Sequence, residues 1–377
     1  MVTDGTNPGA PGENLAEGGP PRGLTAAVTT MMRRDGVPGL SMAVVNRDRV
    51  LLAAGYGLAD RAATTPATAS TSYLWFSMSK IVTATAACRL VDEGRLDPDA
   101  PADEYVEYLR AAPGTPTPSV RQLLNHTAGF GNPMPIRWVH PAAADPPEPG
   151  ALLRRLMGRR RAYRYPPGRS ARYSNVGYLA AGQVIAAASA MPFETYVRQS
   201  VLRPVGMDHT GFRYQDGAAP ATGYVKAPRI ADPLLRGLLP GGIAGDRHGP
   251  YLSLHPFYVD GPASGGLVGD VLDAGRFLRL HLGDGEIDGT RVLSPGAARS
   301  MRTIDQAGKP FDHGTGWFRR PTKTPGPWVE HFGAGAGFWN VMRLYPRLGL
   351  GIVVMSNSTR MYDFEPLFAL VASAPWS

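Results

Sequence analysis

The chain has 377 residues, 43% of them hydrophobic and 19% charged, with one cysteine and a formal net charge of +8. That balance belongs to a folded globular protein and excludes a disordered one, and the length calls for two domains or one large one. The lone Cys88 excludes an internal disulfide and fits a reducing compartment.

Met1 to about Gly23 is rich in Gly, Pro, Asn and Glu and has no apolar centre, so it is expected to be a disordered leader rather than a signal peptide, and the protein cytoplasmic. Leu40–Val45 and Val50–Tyr56 are apolar runs separated by Asn46-Arg47-Asp48-Arg49, a β-hairpin pattern. A helix is predicted from Ser77 to about Glu93, stopped by Gly94. Helical patches follow at Val120–Leu124, Leu152–Leu156, Val176–Ala188 and Phe193–Val201, between Pro-rich loops such as Asn132–Gly150. A cluster of Arg154, Arg155, Arg159, Arg160, Arg161 and Arg164 reads as a solvated helix face; the other reading is a docking patch for an anionic substrate or an acidic acyl carrier. Ala227–Gly261 reads as a second long irregular stretch of the kind that forms lids or binding loops. An amphipathic helix at Val271–His281, strands at Gly335–Leu344 and Leu350–Met355, and a last helix at Phe364–Val371 complete the order. Strands at both ends with helices between them predict a discontinuous α/β domain, residues 24–95 and 215–377, carrying a helical domain over 96–214.

Lysine is scarce. Lys80, Lys226, Lys309 and Lys323 are the whole set among 39 basic residues. Arginine stays protonated in a protein, whereas a buried lysine can lose its proton and act as a base. Lys80 precedes the apolar Ile81 and Val82, and Ser77 stands three residues before it, about 5–6 Å away between Cβ atoms on a helix. A hydroxyl beside a desolvated amine is the arrangement of a Ser–Lys nucleophile. The other three lysines have Gly223, Gln306 and Arg320 at that spacing. Two further motifs could complete an acyl-transfer site. Tyr173-Ser174-Asn175 offers a phenol and an amide two residues apart, and His331-Phe332-Gly333-Ala334-Gly335 offers a histidine before small residues whose backbone can approach a substrate. No metal, phosphate-loop, dinucleotide or G-x-S-x-G pattern is present, and no apolar run reaches the roughly 18 residues of a membrane span. No metal, cofactor, nucleic acid or membrane is therefore expected.

The order and spacing of these three motifs resemble the serine β-lactamase and penicillin-binding-protein superfamily, most closely its class C-type esterase branch. Gly55-Tyr56-Gly57-Leu58-Ala59-Asp60, Leu123-Leu124-Asn125-His126-Thr127-Ala128-Gly129-Phe130, Pro204-Val205-Gly206-Met207 with Thr210 after it, and Ser264-Gly265-Gly266-Leu267 extend the resemblance over residues 25 to 372. It implies an antiparallel sheet flanked by helices with an inserted all-helical domain. It implies Ser77 as the acylated nucleophile, Lys80 as its base, and Tyr173 sharing proton transfer. Asn175 would hold Lys80 and substrate, His331 and Gly333 would occupy the Lys and Gly of the family's K-T-G, and the Ala334 N–H would join the Ser77 N–H in an oxyanion hole. Lys323-Thr324-Pro325 is a decoy for that motif, because its prolines make it a loop. Phe332 replaces the family's hydroxyl, which removes an anchor for the carboxylate of a β-lactam or a D-Ala-D-Ala peptide. The expected reaction is ester hydrolysis on a small-molecule acyl donor. The alternatives are acyl transfer to a small-molecule acceptor, a β-lactamase or D,D-peptidase, and a non-catalytic ligand-binding relative.

Overall fold

The computed structural model describes residues 21–158, 162–215, 217–320 and 328–376. The leader to residue 20, Arg159–Arg161 of the arginine cluster and the Lys323-Thr324-Pro325 decoy lie outside the described residues.

Residues 24–35, given no element above, form α1 (Leu24–Asp35). Its signal is the stripe Leu24, Val28, Met31 and Met32, buried on one face at helical spacing. β1 (Gly39–Val45) and β2 (Val50–Asp60) are the expected hairpin, and α2 (Ser79–Asp92) runs to Gly94, whose φ of 67° ends it. α3 (Asn175–Ser189) begins at the Ser174 cap, with the Gly177 N–H donated to the Ser174 hydroxyl.

Two expectations need correction. Ala227–Gly261 is not irregular. It holds α4 (Asp232–Leu238) and the strands Ala244–His248, Tyr251–Leu254 and Phe257–Val259. These elements are short and punctuated by Pro233, Pro240, Pro250 and Pro256, so no stretch shows a full period. The strand Phe257–Val259 pairs with Val139–Pro141, so the helical insertion also contributes a strand. The predicted strand over 335–344 begins three residues late, as β4 (Phe338–Tyr345), and β3 (Val329–Gly335), which was given no element above, turns into it at Ala336-Gly337. Gly337 has φ 78°, which a side chain would resist.

α5 (Val271–Leu282), β5 (Leu350–Ser356) and α6 (Glu365–Ser373) follow the predicted places. The main antiparallel sheet runs β3-β4-β5-β1-β2, with two-residue strands at its edges. β1 pairs with β5, so the two ends of the chain meet in its middle. Alternate side chains face opposite layers. Met42, Val44, Val341, Ile352 and Val354 pack with α1 and α6; Ala43, Val45, Met342, Val353 and Met355 pack toward α2 and α5. The Ser77–Lys80 segment lies on this second side.

Candidate active site

Ser77 sits on a 3₁₀ turn, Phe76–Met78, that leads into α2. Phe76 has φ 47°, a left-handed backbone that a bulky residue rarely adopts. Its ring is held between Phe257 and Phe338, with centroids 6.3 and 6.2 Å away. The packing maintains the strained turn that presents Ser77. No feature of the sequence points to Phe76.

Lys80 is fully buried. Its Nζ lies 3.1 Å from Ser77 Oγ, 2.8 Å from Asn175 Oδ1 and 2.6 Å from the Ser264 carbonyl. All three partners are neutral oxygens, and burial holds the Lys80 pKa well below its ordinary value. A neutral amine has two N–H donors and one lone pair. Asn175 and Ser264 offer only acceptor atoms at the two shorter contacts, so they take the two N–H bonds. The lone pair is left for the Ser77 O–H, the geometry of a base about to accept that proton. The Ser264 turn is itself tied to α2: Leu267 N–H donates to Ser79 Oγ at 3.1 Å, and Thr83 Oγ1 donates to the Ala263 carbonyl at 2.8 Å. The Ser264-Gly265-Gly266-Leu267 motif was legible, but its contribution is a carbonyl.

Tyr173 lies beside Ser77, and Lys80 Nζ stands 5.0 Å from its ring centroid. Burial raises the phenol pKa, against the smaller lowering by Ser77, so Tyr173 holds its proton and is a donor in this state. Asn175 is fixed by its own N–H to Asn132 Oδ1 at 2.9 Å, another contact the sequence did not show.

β3 crosses in front of the turn. A Cβ on Gly333 would lie 1.9 Å from the Trp75 carbonyl oxygen, so only glycine allows this approach. Ala334, exposed, lines the same cavity as Ser77. His331 is buried, not a surface residue, with its ring 6.0 Å from that of Tyr173. Burial keeps it neutral. Its Nδ1 lies 2.7 Å from the Phe332 carbonyl and donates to it, which leaves Nε2 an acceptor without a partner among the described residues. Phe332 points the other way. It packs with Trp339 and Phe364 on the α1/α6 side, so its ring replaces a hydroxyl without entering the cavity.

His313 was not anticipated. It is buried, its ring is 4.6 Å from that of His126, and burial pushes its pKa down to about 4. His126, with φ 63°, accepts the Ser174 N–H on Nδ1 at 3.1 Å and so braces the Tyr173 segment. Among the described residues, one trio of potential metal ligands converges, His209, Asp270 and Asp273, at the start of α5 rather than beside Ser77.

The cavity above Ser77 has a volume of about 370 Å³. Asn175 and Ser264 form its floor; Ile136, Trp138, Leu235 and Leu239 are among its walls. None of the described lining residues is charged.

This fold and this site together define a β-lactamase-fold serine hydrolase family. The Beta-lactamase family model matches residues 24–374, and the chain belongs to that family. It is 26% identical over 313 residues to a putative D-alanyl-D-alanine carboxypeptidase of Escherichia coli O157:H7, covering 75% of this chain and 68% of that protein. The chain spans about two thirds of the length of the first curated relatives it matches, between 62% and 68%. Among solved structures, the octameric penicillin-binding protein homologue from Pyrococcus abyssi shares the fold with a TM-score of 0.76 at 23% identity, covering 92% of this chain and 76% of that one. EstCE1, described as a hydrolase with promiscuous acyltransferase activity, superposes with a TM-score of 0.71 at 19% identity, covering 93% of this chain and 98% of that one. Among the described residues no single helix is long and apolar enough to cross a membrane.

Proposed function

We propose that this protein is a carboxylesterase-like serine hydrolase acting on esters with an apolar acyl group. The observation that carries the reading is the buried, uncompensated Lys80 against Ser77 beneath an uncharged, mostly apolar cavity. Lys80 takes the Ser77 proton as Oγ attacks the ester carbonyl carbon. The oxyanion is received by the N–H groups of Ser77 and Ala334. The C–O bond to the alcohol then breaks as the Tyr173 phenol gives its proton to the leaving oxygen, and Lys80 returns the Ser77 proton to Tyr173. Water attacks the acyl-enzyme with the same groups in reverse and releases the acid. The uncharged lining argues against β-lactams and D-Ala-D-Ala peptides, whose carboxylate would be desolvated there without a partner.

A second reading, acyl transfer to a small alcohol or amine, is supported by the apolar walls that disfavour water at the acyl-enzyme and by the likeness to EstCE1. An acidic acyl carrier is the weaker partner reading. Arg154 and Arg155 are exposed on the helix Ala151–Met157, and Arg154 is bonded to Glu148 at 2.7 Å. A cytoplasmic location belongs to the same proposal and rests on the single Cys88.

Intact-protein mass spectrometry with p-nitrophenyl esters of increasing acyl length, beside a penicillin and with Ser77→Ala as control, tests these readings. An ester adduct that turns over with nitrophenol release supports the esterase. An adduct cleared only by an added alcohol or amine supports acyl transfer. A penicillin adduct, or no adduct at all, overturns the ester proposal.

A further inference from the structure

Two segments close the outer side of the Ser77 cavity, residues 133–139 and residues 229–239. Inward, Ile136, Trp138, Leu235 and Leu238 line the cavity. Outward, the same segments are again apolar. Ile230 is 90% exposed, Met134 77% and Leu234 66%. No residue of α4 is buried. Leu234 is on it, and Ile230, four residues earlier, is on the 3₁₀ turn just before. A large aliphatic side chain left in water forgoes the stabilisation of burial, and an apolar patch at the mouth of a cavity marks a docking face. The charges beside it are mostly basic. Exposed Arg137 follows Ile136, exposed Arg229 precedes Ile230, and Arg236, which donates to the Ala244 and Gly245 carbonyls, is on α4 itself, while the helix's Asp232 is bonded to Arg247.

We propose that this rim docks on an anionic lipid surface, with Ile230, Leu234 and Met134 in the headgroup–acyl boundary and the arginines against lipid phosphates. The apolar surface is continuous from the lipid to Ser77, so acyl esters would enter from the interface rather than from free solution. This last clause rests on the esterase reading; the docking does not. The expectation of no membrane came from the lack of a spanning run, and a surface-bound helix needs none.

The test uses full-length Ser77→Ala, which cannot turn over lipid, co-sedimented with vesicles of phosphatidylglycerol or of phosphatidylcholine. Binding to the anionic vesicles, weakened by salt and reduced about tenfold or more by adding Ile230→Ser and Leu234→Ser, is the expected result. Ile230 and Leu234 do not line the cavity. With Ser77 intact, the double variant should therefore keep its p-nitrophenyl acetate hydrolysis while losing activity on a micellar long-chain ester. Absence of vesicle binding, or binding unaffected by the double variant, overturns the proposal. So does a concentration-dependent dimer that the double variant dissolves without any vesicle binding, since the patch then serves a second copy. Failure of the esterase reading shows separately, as vesicle binding without ester turnover.

Discussion

Lys80 and Arg343 are both buried cations, and they are buried in opposite ways. Arg343, on β4, stands across from Glu330 on β3, bonded to it at 2.6 Å and to Glu365 also at 2.6 Å; Arg320 closes the network on the other Glu330 oxygen at 2.6 Å. Burial works against the Arg343 charge, yet the Glu365 hydrogen bond and the Glu330 charge hold its pKa above the ordinary value. Lys80 has neutral oxygens only, and burial acts on it unopposed. One buried cation ties a sheet to a C-terminal helix; the other is driven to give up its proton. The difference lies in the counter-charge and in the residue type, since only lysine can deprotonate.

The largest effect expected from this contrast is in the chemistry. Lys80→Arg keeps a cation but removes the proposed base, and Ser77→Ala removes the proposed nucleophile. Each should lower p-nitrophenyl ester turnover by about 10³-fold or more with an unchanged circular dichroism spectrum. A Lys80→Arg protein retaining a tenth of the activity would break the contrast. Glu330→Gln should do the reverse. Stranding part of the buried arginine network should reduce the unfolding free energy by about 3–5 kcal/mol in urea titration, with turnover per folded molecule within about twofold of wild type. A smaller loss, about 10–100-fold in kcat, is expected for Asn175→Ala, because Lys80 loses one of the acceptors that orient it.

The smallest effect is in pH dependence, and its sign follows from the lowered Lys80 pKa. Activity should fall as pH drops through the folded Lys80 value, where the amine becomes protonated. Between that value and the unfolded one of about 10.4, the unfolded chain binds the extra proton, so stability contributed by this group rises with pH by at most about 1.4 kcal/mol per unit. Lys80→Met should flatten that slope. An unchanged slope would mean that Lys80 keeps its proton when folded.

Much of the active centre was readable because side-chain identity carried it. A lysine in an arginine-using protein, a serine one turn before it and the Tyr-x-Asn and His-x-Gly motifs name Ser77, Lys80, Tyr173, Asn175 and Gly333, and the structure brings these residues together. The hairpin of β1 and β2 and the helix after Ser77 were equally legible, since two apolar runs flanking a polar turn and a glycine stop are local signals.

Only the tertiary structure decided the rest. The Ser264 carbonyl reaches Lys80 across 184 residues, and a backbone acceptor has no identity to read in a sequence. Phe76 adopts its left-handed backbone because aromatic rings from distant strands hold it. The side of β3 that Phe332 occupies follows from register, and a one-residue shift would reverse it. The rim over the cavity, built from short Pro-punctuated pieces, takes shape only where those pieces meet the body they cover. Chemistry carried by side chains was thus written locally in this chain, whereas contacts made by its backbone, its register and its loops exist only once the two ends have met in the sheet.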